Sequence, residues 1–207
     1  MNNNFEYVVF NRHSVKEFDV NKKISREEMI QILEEATLAP SSVNLQPWRF
    51  VVVESDEAKD KLRSLIRYNI RQNDTSSAMI LIFGDTKCYE KADEIYRKAV
   101  EKGYMTEDVK KQMMDLVLPA YKNFSQSKMN DVVKIDSSLM AMQLMLVARA
   151  HGYDTNAIGG FEEDQLAQAF GLDQERYVPV IIIAIGKSNY EHHESVRLDI
   201  KDIAKFE

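Results

Sequence analysis

The sequence is poor in cysteine, glycine, proline and uninterrupted apolar stretches, and each shortage excludes something. With Cys88 alone, no intrachain disulfide and no CxxC redox or zinc site can form. A core of this size needs no such staples, and a lone thiol points to a reducing compartment. Seven glycines and four prolines in 207 residues leave no flexible linker, repeat or low-complexity tract, so one domain over residues 1–207 is expected. The best apolar run, Leu139 to Ala148, is broken by Gln143 and falls short of the roughly 20 residues a bilayer requires. The opening MNNNFEYVVFNR has neither a basic n-region nor a long apolar h-region, so a cytoplasmic protein is expected. Positive charge is in deficit, 27 Lys and Arg against 33 Asp and Glu, a net charge of −6 that disfavours nucleic acid and anionic membranes as partners. GxGxxG, GxxxxGK, GxSxG and HExxH are all missing, which removes the motif support for Rossmann, P-loop, esterase and zincin readings.

What is present is the composition of a soluble globular domain, 44% hydrophobic and 29% charged. Ser25 followed by Glu28 makes a capping box, and Met29, Ile32, Leu33 and Ala36 recur at helical spacing, predicting a helix from Arg26 to Ala39, ended by Pro40. WRFVVV (Trp48 to Val53), Met79 to Phe83 and Val180 to Ile185 read as apolar strands, Met79 to Phe83 a second buried one. Helical spacing also marks Asp56 to Tyr68, two charged helices between Thr86 and Ser127 broken near Gly103, an all-round apolar helix from Val132 to Ala150, and Glu163 to Phe170. The last twenty residues read as an extended polar tail. Helices between apolar strands predict a mixed α and β domain.

Two blocks carry chemistry. Arg12, His13, Ser14 and Lys16 set cationic groups and a hydroxyl within five residues, a set suited to an anion and equally found in a solvated basic turn. Ala39 to Phe50 (APSSVNLQPWRF) is dense in neutral donors and acceptors, which suits a polyhydroxylated or heterocyclic ligand or a turn whose Ser and Asn satisfy their own backbone. His192 and His193 beside Glu194 lack a shared helix face and read as solvated tail. Cys88 reads as a small buried hydrophobe without a catalytic role.

Together, RHSVKEF and PSSVNLQPWRFVVV resemble the paired N-terminal signature of the FMN-dependent nitroreductase family, and the resemblance continues through AIGGF (Ala157 to Phe161), VIIIAIGK and an Arg-containing tail. It implies an α+β, three-layer nitroreductase-like fold: a mixed, largely antiparallel sheet flanked by helices, an intertwined homodimer with FMN at the interface, a helical excursion at about residues 102–130 and a C-terminal extension at about 188–207. It further implies that Arg12, Ser14 and Arg197 engage the FMN phosphate or ribityl chain, with His13 as a pH-dependent donor there. Lys16 would lie near the pyrimidine edge, where it supports the negative charge of reduced flavin, and no protein acid or base is demanded. Pro40, Ser41, Ser42 and Asn44 would reach the flavin from the partner subunit, Asn69 and Gln72 would face the pyrimidine, and Gly159 and Gly160 would offer a backbone N–H at N5. Asn73 competes for the pyrimidine role. Some relatives carry a basic residue where Ser195 stands, which leaves His193, Lys187 or nothing to compensate. The implied reaction is a ping-pong hydride transfer from NADH or NADPH through flavin N5 to a nitroaromatic, quinone or enone acceptor, with no metal. Reductive dehalogenation, desaturation, or flavin binding without turnover are the alternatives on the same scaffold.

Overall fold

A computed structural model describes residues 1–188, 190 and 194–207; His192 and His193 lie outside the described residues. The apolar runs become β1 (Trp48–Val53), β2 (Ala78–Asp85) and β4 (Tyr177–Gly186), joined by a more polar β3 (Asp154–Ile158). They pair antiparallel in the order β1-β2-β4-β3. A parallel bridge from Ser14 to Thr155 extends the β3 edge, so the sheet is mixed and largely antiparallel. Around it lie α1 (Phe5–Phe10), α2 (Arg26–Ala36), α3 (Asp56–Arg63), α4 (Ile70–Thr75), α5 (Ala92–Glu101), α6 (Glu107–Lys122), α7 (Gln126–Ala150), α8 (Glu163–Ala169) and α9 (Ile200–Ile203).

Strand β2 is buried along its whole length, and alternation sends its side chains to two cores. Met79, Leu81 and Phe83 join Phe18, Leu62 of α3 and Leu166 of α8 on one face. Ala78, Ile80 and Ile82 join Ile32 of α2 and Met140 and Leu144 of α7 on the other. Helix α7 crosses β2 closely enough that a Cβ on Gly84 would stand 2.5 Å from Val133 Cγ2, so only glycine fits there. A third core gathers Leu45, Cys88, Tyr96 of α5, Val117 and Tyr121 of α6, and Val133. Burial pushes the Cys88 thiol up to about 12, so it stays protonated. Pro179 is tolerated within β4 because the ladder to β2 slips between Ile82 and Phe83 beside it. At the end of β2 the fully buried Asp85 carboxylate takes a two-pronged Arg176 guanidinium at 2.8 and 2.9 Å and Arg49 at 3.0 Å, which closes this end of the sheet.

Several elements depart from the sequence expectations for physical reasons. Helix α2 stops at Ala36: past its Thr37 cap the Leu38 and Ala39 N–H groups tighten onto carbonyls three residues back, Glu35 O at 3.3 Å and Ala36 O at 3.2 Å, before Pro40. Helix α3 ends at Arg63 rather than Tyr68: Leu65 and Ile66 are buried by pairing with the segment after β3, the Glu162 N–H donating to Leu65 O at 2.8 Å. The chain then turns again into α4. Helix α7 opens at Gln126, where the Ser125 hydroxyl caps the Lys128 N–H at 3.2 Å, and it is not buried all round. Ile135, Leu139 and Met142 form an exposed stripe on the side away from the sheet. The tail contains α9 and is not uniformly polar, since Val196, Leu198, Ile200, Ile203 and Phe206 are all exposed.

Candidate functional site

The cationic block is held along the β3 edge by backbone pairing. The Val15 N–H donates to Thr155 O at 3.1 Å, and the buried Asn156 carboxamide donates to Val15 O at 2.8 Å. Two residues past Lys16, the Phe18 N–H donates to Thr75 Oγ1 at the end of α4, at 3.1 Å, while Glu17 pairs with Arg71 of α4 at 3.5 Å. Lys16 is therefore an exposed cation suspended between β3 and α4. On the preceding side, Arg12 and His13 line a cleft of about 500 Å³ together with Met142 and Leu146 of α7, Glu194, Ser195 and Arg197. The Arg197 guanidinium is oriented locally, one nitrogen donating to Ser195 Oγ at 2.8 Å and to Val196 O at 3.0 Å. Ser195 thus steadies the tail arginine. Lys187 instead donates to Gly152 O at 2.5 Å and lines a smaller neighbouring cavity with His13 and Arg149.

The turn after β3 is tied to the segment entering α4. The Arg67 N–H donates to Gly160 O at 3.0 Å, and the Arg67 guanidinium clasps Glu162 at 3.0 and 3.3 Å. This clasp raises the Arg67 pKa and lowers that of Glu162, chiefly through its hydrogen bonds. A Cβ on Gly159 would meet nothing within 4 Å, and one on Gly160 only the Tyr68 ring at 4.0 Å, so the turn faces open space; Asn69 precedes α4 and Gln72 is buried within it. The buried Asn73 carboxamide donates to Lys59 O at 3.1 Å, which gives it a structural duty.

The Pro40 to Asn44 loop is built quite differently. Val43, Asn44 and Gln46 all have left-handed backbones, with φ of 46°, 58° and 47°. For the β-branched Val43 this is a genuine outlier, of a kind that costs on the order of 1 to 3 kcal/mol and collects at ligand sites. Buried groups hold it down. The Ser42 N–H and hydroxyl donate to the two oxygens of Asp136 in α7, each at 3.0 Å, and the Tyr96 hydroxyl donates to Val43 O at 2.9 Å. Asp136 is 2% exposed, and burial raises its pKa against the opposing pull of Ser42. The Ser41 hydroxyl accepts the Gln46 N–H at 3.0 Å, while Pro40 and Asn44 remain exposed.

Of the residues expected at the flavin, Arg12, His13 and Arg197 line one cleft and Ser14 bridges Thr155 of β3, while Lys16 is exposed and Gln72 is buried. The Pro40 to Asn44 loop does not line that cleft. It docks on α7 at Asp136, whereas the cationic cleft meets α7 at Met142 and Leu146, roughly 9 to 15 Å farther along the helix axis. Asp136 and Tyr96 escaped the sequence reading. The available signal was the pair Asp136-Ser137 inside an apolar helix, since a carboxylate in that setting needs a partner.

A family model described as the nitroreductase family matches residues 9–187. YdgI of Bacillus subtilis (strain 168), which carries the name of an NAD(P)H nitroreductase, is 48% identical over 204 residues, 99% of this chain and 98% of that protein. A CLA biosynthesis enone reductase of Lactiplantibacillus plantarum is 42% identical over 207 residues, covering 100% of this chain and 95% of the relative. Among solved structures, a nitroreductase-type protein of Exiguobacterium sibiricum 255-15 in complex with FMN superimposes with a TM-score of 0.96 at 52% identity, covering 99% of this chain and 97% of that one. Among the described residues no helix is long and apolar enough to cross a membrane. With matches of this extent, and with the fold and cleft just described, the chain belongs to the nitroreductase family and is an oxidoreductase.

Proposed function

We propose that the protein works as a homodimer that holds FMN and carries a hydride from NADH or NADPH to a quinone, nitroaromatic or enone acceptor. The observation that carries this reading is the meeting of Arg12, His13 and Arg197 in one cleft, from opposite ends of a chain whose net charge is −6. Guanidinium forks and an imidazole suit the phosphate of FMN. The open space over Gly159 and Gly160 suits a planar ring approached by main-chain N–H groups. The residues present thus fit FMN at both its ends.

When bound, FMN supplies hydride transfer at N5, with donor and acceptor occupying the same pocket in turn in a ping-pong cycle. The chain contributes position and charge. Arg12, Ser14 and Arg197 hold the phosphate end, Asn69 and Gln72 orient the pyrimidine edge, and Lys16 stabilises negative charge there. None of these side chains needs to gain or lose a proton.

The second copy follows from what one chain leaves unfinished. The Pro40 to Asn44 loop lies away from the chain's own cleft. The α7 stripe of Ile135, Leu139 and Met142 and the tail's Val196, Leu198, Ile200, Ile203 and Phe206 present apolar surface to water. A twofold pairing over α7, with tails exchanged, covers that surface and brings each loop to the other copy's cleft.

The test is an anaerobic visible spectrum of the purified protein before and after NADH or NADPH, followed by menadione or a nitroarene. Bound-flavin absorbance that bleaches with the nicotinamide and returns with the acceptor is expected. Protein that binds no flavin, or bound flavin that neither nicotinamide bleaches, refutes the reading.

A further inference from the structure

The strained loop at Pro40 to Asn44 is gripped from beneath by buried side chains of the third core. Both oxygens of Asp136 are used on one loop residue, Ser42, and Tyr96 of α5 holds the carbonyl of Val43, the next residue. A carboxylate is an expensive occupant for a buried helix position, where an aliphatic side chain would pack at no desolvation cost. Fold stability alone gives no reason to keep it.

The loop conformation does give a reason. Three non-glycine residues in left-handed backbone would drift toward ordinary conformations if nothing over-determined them. The grip fixes them while Pro40, Val43 and Asn44 stay exposed, so the loop is set in shape before any ligand arrives.

We propose that Asp136, backed by Tyr96, is a positioning residue that preorganises this loop for the flavin site of the neighbouring subunit; the inference rests on the flavin reading above. Asp136 is buried with both oxygens on Ser42, so it acts through the loop. Its effect reaches the site through the fraction of protein whose loop is already competent, because apparent affinity falls in proportion to that fraction. Helices α5, α6 and α7 carry the third core, so packing changes under α5 and α6 are transmitted to the cofactor.

The experiment titrates apoprotein with FMN and with riboflavin, following flavin fluorescence, while sedimentation and thermal melting report assembly and fold. Asp136→Ala is expected to weaken both ligands by about tenfold or more, alike, because the defect lies away from the phosphate. Asp136→Asn is expected to stay within about threefold of wild type, since its carboxamide can accept the Ser42 N–H and donate to the Ser42 hydroxyl. A merely structural role would lower the melting point without this rescue pattern in affinity. Mixed dimers of one Asp136→Ala and one Arg197→Ala subunit are expected to regain one site of wild-type affinity per dimer, because one cleft then has an intact loop and an intact phosphate end. Wild-type affinity in folded Asp136→Ala, or mixed dimers with no restored site, overturns the proposal. Should Asp136→Ala not fold, Tyr96→Phe, which removes one oxygen, decides the matter: several-fold weaker binding of both ligands is expected, and unchanged binding overturns the proposal. Wild-type apoprotein that takes up no FMN refutes the flavin reading itself, an outcome distinct from all of these.

Discussion

Removing the Arg197 guanidinium should weaken FMN binding without touching riboflavin. The side chain is exposed, borders the same cleft as Arg12 and His13, and is steered by Ser195 at 2.8 Å. A hydrogen bond to a charged group contributes about 1.5 to 3 kcal/mol, which corresponds to roughly 10- to 100-fold in affinity. Exposure to solvent and the remaining cation at Arg12 place the expected loss for Arg197→Ala nearer tenfold. Because the contact is charge-assisted and near the surface, the difference between wild type and variant should shrink as salt rises and the Debye length falls from about 10 Å at 0.1 M. The assay is fluorescence titration of apoprotein at two ionic strengths, with FMN and riboflavin side by side. Unchanged FMN affinity would refute the assignment, and an equal loss for both ligands would move Arg197 from the phosphate to the fold.

Other consequences can be measured directly. Lys16→Ala should leave the melting point unchanged yet lower the reduction potential of bound flavin, because a cation near the pyrimidine edge favours the reduced, negatively charged form; a potential equal to wild type would remove that role. Gly84→Ala forces a methyl to 2.5 Å from Val133 Cγ2, and overpacking of this kind costs about 1 to 3 kcal/mol in chemical denaturation. Full stability in that variant would mean that α7 can shift away from β2 freely. Burial, and then the nearby Lys23, lowers the Lys59 pKa from 10.5 to about 8. The unfolded chain therefore holds more protons between those values, so stability should rise with pH from about 8 to 10.5 relative to Lys59→Met. Parallel profiles for the two proteins would contradict the buried charge.

How far the structure was legible in the sequence depended on which force decided each element. β1, β2 and β4 are apolar runs, and hydrophobic burial made them readable. β3 was not, because its buried Thr155 and Asn156 are there to pair with the backbone of the N-terminal segment, a long-range arrangement that leaves no apolar pattern. The same holds for α3, whose apolar spacing ran on through Leu65 and Ile66 while distant pairing at Phe161 claimed them. The sequence motifs marked Arg12, His13 and Arg197, and the fold brings them to one cleft. Asp136 remained hidden because its partner lies ninety-four positions away and nothing local requires a carboxylate there.

Helix α7 serves both ends of this arrangement. Its first half carries the third core, with α5, α6 and the strained loop upon it, and its second half forms a wall of the cationic cleft. Because a rod of 25 residues bends little, the spacing between those two stations is constant across the molecule. The exposed side chains of the outer helical layer can accordingly change while the cleft keeps its geometry.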